Sequence, residues 1–306
     1  MPTIRFTHDY DTACRLRDEG FEPIECAFGQ YGSVLGPLEL DHHGTESHRE
    51  GVAIRACRDF YGARAADPRF VVTGTPDADA VLAIVALSGL VERDALQPAF
   101  YEVVARHDTD PIGMDLLASD EGVMLGWFNQ RAGLSQSEKG FQAAVQAMVD
   151  LLQMGLDDAD RAQVRRADLS RRRTALRGVL AIHDAQGQPL PVPEGAVDHP
   201  VCRGEAATEG AARVAVVQSA VWGFDQWYRL APVVVSYASR IAKVTVGCPD
   251  LETAERLFGP GGLMRAWVAL GRGWGGRETI GGSPRGERLP LTEAFQTAER
   301  LIEMLR

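Results

Sequence analysis

The chain has 306 residues, of which 45% are hydrophobic and 24% are charged, and its formal net charge is −10 at pH 7. An acidic chain of this composition argues against a protein that binds long duplex nucleic acid. No apolar run approaches the roughly 18 residues of a membrane span, and no segment has the plan of a signal peptide. The five cysteines are scattered, so we expect neither a disulfide framework nor a structural zinc site, and a cytoplasmic location follows.

The first informative stretch is a short strand, predicted for residues 3–7, that runs into a polar cluster. His8, Asp9 and Asp11 follow this strand and precede a helix-like stretch. Side chains at the carboxyl end of a strand in an open α/β sheet are well placed to bind a ligand. These three residues are therefore candidate metal ligands, with a simple polar loop as the alternative.

The next stretch places an acid beside two adjacent imidazoles. Residues 22–28 predict a second strand, and the apolar run at residues 38–40 predicts a short buried strand. This run ends in Asp41, His42 and His43. A carboxylate next to neutral imidazoles is suitable ligand chemistry for a divalent transition metal.

Two further aspartate groups follow apolar runs. The β-branched run at residues 69–73 precedes Asp77 and Asp79, which begin a strongly apolar helix, and the run at residues 100–105 precedes Asp108. Aspartates at a helix N-terminus are also favoured as caps, and Asp-Pro favours a turn. Metal ligation and these local roles are therefore both open for the three aspartates.

The second half of the chain predicts a further α/β unit that ends in a glycine-rich stretch. Residues 151–174 form a charged, helical stretch, and strands are predicted at residues 212–219, 232–237 and 240–246. Glycines at this density allow consecutive amides to form an anion-binding nest, and arginines supply paired donors for phosphate. The candidate substrate-binding residues are Gly275, Gly276, Arg277, Gly281, Gly282 and Arg285.

These motifs resemble those of the DHH phosphoesterase superfamily. Asp41-His42-His43 matches the signature, and Asp108 matches a later aspartate of the metal site. The family's first motif has two candidates here, one at residues 8–11 and one at residues 75–79. The glycine-rich stretch is similar to the DHHA1 domain, which follows the catalytic domain in this superfamily.

The chain departs from the family at two places. The family has an aspartate that bridges two metals at the end of the strand before Asp-His-His, and no aspartate lies between residues 22 and 37. In the DHHA1 motif, Arg277 stands where a histidine is usual. These departures favour an alternative interpretation, a catalytically decayed DHH-like protein that binds a ligand or regulates.

The resemblance implies an α/β fold in two parts. Residues 1–150 would form a parallel-sheet, DHH-like metal-binding domain, residues 151–174 a helical linker, and residues 175–306 a smaller α/β DHHA1-like domain that binds substrate. The implied cofactor is a pair of Mn²⁺ ions. The candidate metal ligands are His8, Asp9, Asp11, Asp41, His42, Asp77, Asp79 and Asp108.

The implied activity is metal-dependent hydrolysis of a phosphoester or phosphoanhydride. The substrate would be a small nucleotide-like molecule or an oligonucleotide. Asp41 and His43 are the expected catalytic residues, with His43 contacting the phosphoryl group or the leaving oxygen. The sequence leaves the oligomeric state open, with a homodimer as one option.

Overall fold

A computed structural model of the chain describes residues 1–43, 46, 48–133, 135–194, 199–204, 213–284 and 287–305. The chain divides into two compact units, Met1–Arg166 and Ala167–Arg306. The strands and helices are, in chain order, β1 (Thr3–Phe6), α1 (Tyr10–Asp18), β2 (Glu22–Ile24), α2 (Val52–Arg58), β3 (Arg69–Val72), α3 (Ala78–Ser88), α4 (Pro98–Thr109), α5 (Asp120–Arg131), α6 (Glu138–Met154), α7 (Asp158–Arg177), β4 (Val179–Asp184), β5 (Pro189–Leu190), β6 (Arg213–Ser219), α8 (Phe224–Trp227), β7 (Val233–Ala238), β8 (Lys243–Gly247), α9 (Leu251–Phe258), α10 (Met264–Leu270), β9 (Gly275–Gly276), β10 (Ile280–Gly282) and α11 (Leu291–Leu305). Each unit combines helices with a sheet, which confirms the α/β class. Within the described ranges, no helix has both the length and the apolar character needed to cross a bilayer.

The sheet of the first unit is parallel, as the sequence predicts. Its strand order is β1-β3-β2, with Ile4 opposite Phe70 and Ile24 opposite Val72. Because all three strands run in the same direction, their carboxyl ends lie along one edge of the sheet. The residues that follow β1, β2 and β3 therefore begin at that edge.

The core of the first unit is built around α3. Every residue of this helix is buried, and α2, α4, α5 and α6 pack against it. A helix that is apolar on all sides requires such enclosure, because no face of it is suited to water. The polar residues at its N-terminus, among them Asp79, are held in place by this rigid core.

The buried strand expected at residues 38–40 does not form, so that prediction is wrong. Pro37 and Leu38 lie in a turn, and Glu39 has a φ of +51°, outside the strand region. The guanidinium of Arg55 on α2 donates to the carbonyl oxygens of Leu38 at 2.9 Å and Glu39 at 2.7 Å. These carbonyls are therefore hydrogen-bonded to a side chain of a later helix and not to a neighbouring strand. Of residues 38–40, only Leu40 is fully buried.

The second unit contains a seven-stranded mixed sheet in the order β5-β4-β6-β7-β8-β10-β9. The pair β6–β7 is parallel and the other pairs are antiparallel. Helix α11 packs on β6 and β7. The predicted linker at residues 151–174 covers the end of α6 and most of α7, and the boundary between the units falls within α7.

Candidate metal centre

Four side chains of the first unit bring potential ligand atoms together. One ligand atom from each of Glu25, His42, His43 and Asp108 lies within 4.8 Å of the other three. The His43 side chain is 36% exposed, whereas those of His42 and Glu25 are 8% and 7% exposed. Two imidazoles and two carboxylates form a mixed nitrogen–oxygen donor set, which suits a divalent transition metal. His43 is the member of the group most accessible to a substrate.

Glu25 is supplied by the end of β2, one residue beyond Ile24. Its φ of +51° lies in the left-handed region, which costs free energy in a non-glycine residue and recurs at functional sites. Its N–H donates to the carbonyl oxygen of Leu40 at 2.9 Å. This bond joins the strand end to the segment of residues 38–43, and Glu25 Oε1 lies 3.0 Å from His42 Nε2.

His42 is the centre of the group. Its Nε2 atom lies 2.8 Å from Asp108 Oδ2, 3.0 Å from Glu25 Oε1 and 3.5 Å from Asp79 Oδ2. Asp108 reaches this position from the last turn of α4, and Asp79 from the first turn of α3. Three carboxylates from three separate elements therefore converge on one ring nitrogen.

Asp41 orients the second histidine. Its Oδ1 accepts a hydrogen bond from the His43 N–H at 2.9 Å and lies 3.3 Å from His43 Nδ1. Burial raises the pKa of Asp41, but hydrogen bonds from His43 and Ser33 outweigh it and hold this pKa below its usual value. An ionised Asp41 thus holds the imidazole with Nδ1 toward the carboxylate, which leaves Nε2 as the ring nitrogen for another partner.

Asp77 and Asp79 both accept hydrogen bonds from backbone amides. Asp77 caps α3 by accepting from the Ala80 N–H at 2.9 Å, so the capping role considered for it is realised. Asp79 accepts from the N–H groups of Val52 at 2.8 Å and Ala53 at 3.0 Å, at the start of α2. Both carboxylates retain lone pairs beyond these bonds, and their ligation of a metal stays a prediction.

Three polar atoms of this site are buried without a hydrogen-bond partner among the described residues. They are Glu25 Oε1, Asp41 Oδ2 and His42 Nε2. Leaving a buried polar atom unpaired costs about 1–3 kcal/mol. His42 Nε2 lies at ion-pair distance from Asp108 and Glu25, so a proton on this nitrogen would compensate it in the absence of a metal. A cation in contact with these atoms would satisfy them, so the residues present fit a metal ion.

The charges in the site are strongly perturbed. Burial raises the pKa of Glu25 well above its usual range, and repulsion from Asp77 adds to this. Burial likewise raises the pKa of Asp77 to about 7 and raises the pKa of Asp79. Contacts with Asp108 and Glu25 raise the pKa of His42 to about 10. The site therefore holds an excess of negative charge that protons or a metal cation must neutralise.

His8, Asp9 and Asp11 are exposed and do not belong to the group. The His8 ring packs edge-on against Phe6, with the ring centroids 4.7 Å apart. Asp9 caps α1 by accepting from the Thr12 N–H at 2.8 Å. These contacts are those of a polar loop at a helix N-terminus. Metal ligation by the three residues stays a prediction that the geometry does not support.

The glycine-rich stretch forms the hairpin of β9 and β10. Gly276 is opposite Gly281, and Gly275 is opposite Gly282. A Cβ atom at Gly276 would lie 2.2 Å from the Cα atom of Gly281, and one at Gly281 would lie 2.5 Å from the Gly275 carbonyl oxygen. Close packing of the two strands therefore explains glycine at Gly276 and Gly281 without an anion-binding nest.

Of the two candidate arginines in this stretch, the structure describes Arg277 and not Arg285. Arg277 is exposed at the turn of the hairpin, where its N–H donates to the Ile280 carbonyl oxygen at 2.8 Å. Its own carbonyl oxygen accepts from Trp267 Nε1 at 3.1 Å. Arg285 lies outside the described residues. Substrate binding by the glycines and arginines of this stretch stays a prediction.

Glu25 is the site residue that the sequence analysis missed. The available signal was an acidic residue within the predicted second strand, ahead of Asp41-His42-His43; the structure ends this strand at Ile24, just before Glu25. The resemblance names an aspartate, and not a glutamate, as the bridging carboxylate at that place. A glutamate has the same carboxylate on a side chain that is one methylene longer, so it can reach the same metal position when its Cα atom lies slightly farther away.

The chain was compared with protein-family models, with curated proteins and with solved structures, and none of them matches significantly. The likeness to the DHH superfamily is therefore one of short motifs. What the site can do is inferred from its own residues and their geometry.

Proposed function

We propose that the first unit is a divalent-metal-dependent phosphoesterase of the DHH type. It would hydrolyse a phosphoester or phosphoanhydride bond in a small nucleotide-like or oligonucleotide substrate. The observation that carries the proposal is the convergence of Glu25 and Asp108 on His42 Nε2, at 3.0 and 2.8 Å, beside an Asp41 oxygen that is buried without a hydrogen bond. A donor set of this kind beside a partly exposed histidine is typical of hydrolytic metal sites.

The number of carboxylates supports two metal ions rather than one. Around the two histidines lie the carboxylates of Glu25, Asp41, Asp77, Asp79 and Asp108. One divalent ion would leave most of this negative charge uncompensated, whereas two would nearly balance it. A donor set dominated by carboxylates with some imidazole is compatible with Mn²⁺, the ion that the resemblance implies.

Each residue of the site can be given a role in such a reaction. When bound, divalent ions polarise a phosphoryl oxygen and lower the pKa of water. Glu25, His42 and Asp108 would hold the metal, with Asp77 and Asp79 as further carboxylates beside it. His43, the most exposed of the group, would contact the phosphoryl group or the leaving oxygen through Nε2. Asp41 would keep the His43 ring in the orientation that this requires.

The positions of two side-chain groups strengthen the DHH interpretation. Glu25 follows β2 at the place where the family has its bridging aspartate, so the missing carboxylate has a substitute. Asp79 approaches His42 to 3.5 Å, whereas residues 8–11 have the contacts of a helix cap. The second candidate for the first motif, Asp77 and Asp79, is therefore the better one, which implies a rearranged order of motifs in the chain.

The proposal is tested by metal content and turnover in the same preparations. Protein purified without added metal or chelator is analysed for transition metals, and hydrolysis of bis(p-nitrophenyl) phosphate is followed with Mn²⁺. The wild type is compared with His42→Gln, which removes the central ligand. His48→Gln serves as the matched control, because His48 is exposed and lies outside the group.

We expect one or two bound ions and Mn²⁺-dependent turnover in the wild type and in the control, and loss of both in His42→Gln. Bound metal without turnover on this substrate or on a panel of nucleotides would contradict hydrolysis. It would favour the ligand-binding or regulatory alternative, which the absence of the DHHA1 histidine at Arg277 supports. No metal under any condition would refute the metal site itself.

A further inference from the structure

The segment of residues 38–43 carries three residues of the site but has no strand partners of its own. Its position must therefore come from individual contacts. At one end, the Leu38 N–H donates to Glu22 Oε1 at 3.1 Å, and in the middle the Leu40 carbonyl accepts from the Glu25 N–H. The carbonyl oxygens of Leu38 and Glu39 both accept from Arg55, and that of Glu39 also accepts the Asp41 N–H at 3.0 Å. At the other end, the His43 carbonyl accepts the Glu46 N–H at 2.9 Å.

The contact of Arg55 is of a kind that other side chains cannot reproduce. Two nitrogens of one planar guanidinium donate to two consecutive carbonyl oxygens, at 2.7 and 2.9 Å. Between those carbonyls lies Glu39, whose φ of +51° is unfavourable for a residue with a side chain. The fork geometry of arginine is suited to hold such a turn, whereas a lysine has one point charge and can serve one carbonyl well.

Helix α2, which carries Arg55, is joined to the site at its N-terminus through Asp79. Both oxygens of Asp79 accept amides of Val52 and Ala53 in the first turn of α2, three and two residues before Arg55. A Cβ atom at Gly51 would lie 3.2 Å from Asp79 Oδ1, so glycine permits this close approach. Helix α2 therefore connects a carboxylate beside His42 Nε2 to the backbone that precedes Asp41.

We propose that Arg55 is a positioning residue of the metal site. Through α2, it sets the segment of residues 38–43 relative to Asp79, and so sets the placement of Asp41, His42 and His43 around the metal. Arg55 touches neither metal nor substrate in this role. The inference rests on the proposed metal site, and its consequence is that metal affinity and coordination geometry depend on a side chain outside the ligand set.

The test compares Arg55→Met, Arg55→Lys and Arg58→Met with the wild type. Arg58 lies on the same short helix but is exposed and pairs with Glu50 and Asp59 at the surface, so it is a matched control. Mn²⁺ affinity is measured by calorimetry, and the visible absorption spectrum of bound Co²⁺ reports the geometry of the ligands. Urea denaturation in EDTA gives the stability of each metal-free variant.

We expect Arg55→Met to weaken Mn²⁺ binding by about 10–100-fold, the usual effect of losing a residue that orients metal ligands. The Co²⁺ spectrum should change with it. Arg55→Lys should recover part of the affinity, and it carries the test if the methionine variant does not fold. Arg58→Met should change affinity by about twofold or less, because surface ion pairs contribute little.

Two results would overturn the inference, and they differ from each other. If the Arg55 variants bind Mn²⁺ like the wild type and give the same Co²⁺ spectrum, Arg55 has a structural role at most, whatever its effect on urea denaturation. If the wild type binds neither Mn²⁺ nor Co²⁺, the proposed metal site is wrong, and the role of Arg55 within it falls with it.

Discussion

Replacement of Asp79 by alanine should destabilise the first unit even when no metal is present. The Asp79 side chain is fully buried and accepts the Val52 and Ala53 amides. Alanine would leave both amides without their acceptor, at about 1–3 kcal/mol each, which gives about 2–6 kcal/mol together. Relief of the repulsion between Asp79 and Asp108, which contributes to the raised pKa of Asp79, offsets part of this loss. We therefore expect a value in the lower half of the range.

The matched comparison is Asp77→Ala, which removes a single capping bond to the Ala80 amide and should cost about 1 kcal/mol. Asp79→Asn keeps one acceptor oxygen and should fall between the two. The free energy of unfolding is measured by urea denaturation in EDTA, and hydrogen exchange of residues 52–58 locates the change. If Asp79→Ala costs no more than Asp77→Ala, or leaves exchange in α2 unchanged, the carboxylate does not hold α2 as described.

Further predictions concern the metal, its ligands and the hairpin of the second unit. Mn²⁺ at 100 times its Kd should raise the free energy of unfolding by about 2.7 kcal/mol, and absence of this gain in the wild type would contradict a specific site. Glu25→Gln should weaken Mn²⁺ binding by more than the roughly 10–100-fold of a supporting residue. The control Glu22→Gln keeps an Oε1 acceptor for the Leu38 N–H, so its effect should be smaller; equal effects would argue against Glu25 as a ligand. Since the pKa of His42 is raised to about 10, this residue is protonated at pH 7 without metal, so Mn²⁺ binding should release a proton and weaken as the pH falls. Calorimetry in buffers of different ionisation enthalpy measures that proton, and equal heats would refute it. Gly281→Ala, whose Cβ atom would meet the Gly275 carbonyl oxygen at 2.5 Å, should destabilise the second unit by about 1–3 kcal/mol and leave Mn²⁺ binding unchanged; full stability in urea would show that the hairpin is not so closely packed.

The parts of the fold that could be predicted from the sequence are those set by local patterns. The β-branched run before Asp77 forms β3, and the strongly apolar run after it forms α3, because burial on all sides follows from such composition. The resemblance to the DHH superfamily implied that Asp108 and His42 belong to one site, and their side chains lie 2.8 Å apart.

The parts that could not be predicted depend on contacts between distant residues. The apolar run at residues 38–40 has the pattern of a strand. However, Arg55 donates hydrogen bonds to the carbonyl oxygens of Leu38 and Glu39, and the left-handed backbone conformation of Glu39 turns the chain. Glu25 itself has a left-handed backbone conformation, and its N–H donates to the Leu40 carbonyl oxygen. Neither feature can be predicted from the hydrophobic pattern. The close packing that Gly276 and Gly281 permit between the two hairpin strands was not visible in the pattern either, and substrate binding by this stretch stays a prediction.

The central claim is that Glu25, His42 and Asp108 hold a metal ion, and anomalous diffraction tests it most directly. Crystals grown with Mn²⁺ would be measured near the manganese absorption edge. The account predicts one anomalous peak within bonding distance of Glu25 Oε1, His42 Nε2 and Asp108 Oδ2, and a second about 3.5–4 Å away if two ions bind. Peaks only at other carboxylates, such as those of Asp9 and Asp11, or no peak at saturating Mn²⁺, would contradict it.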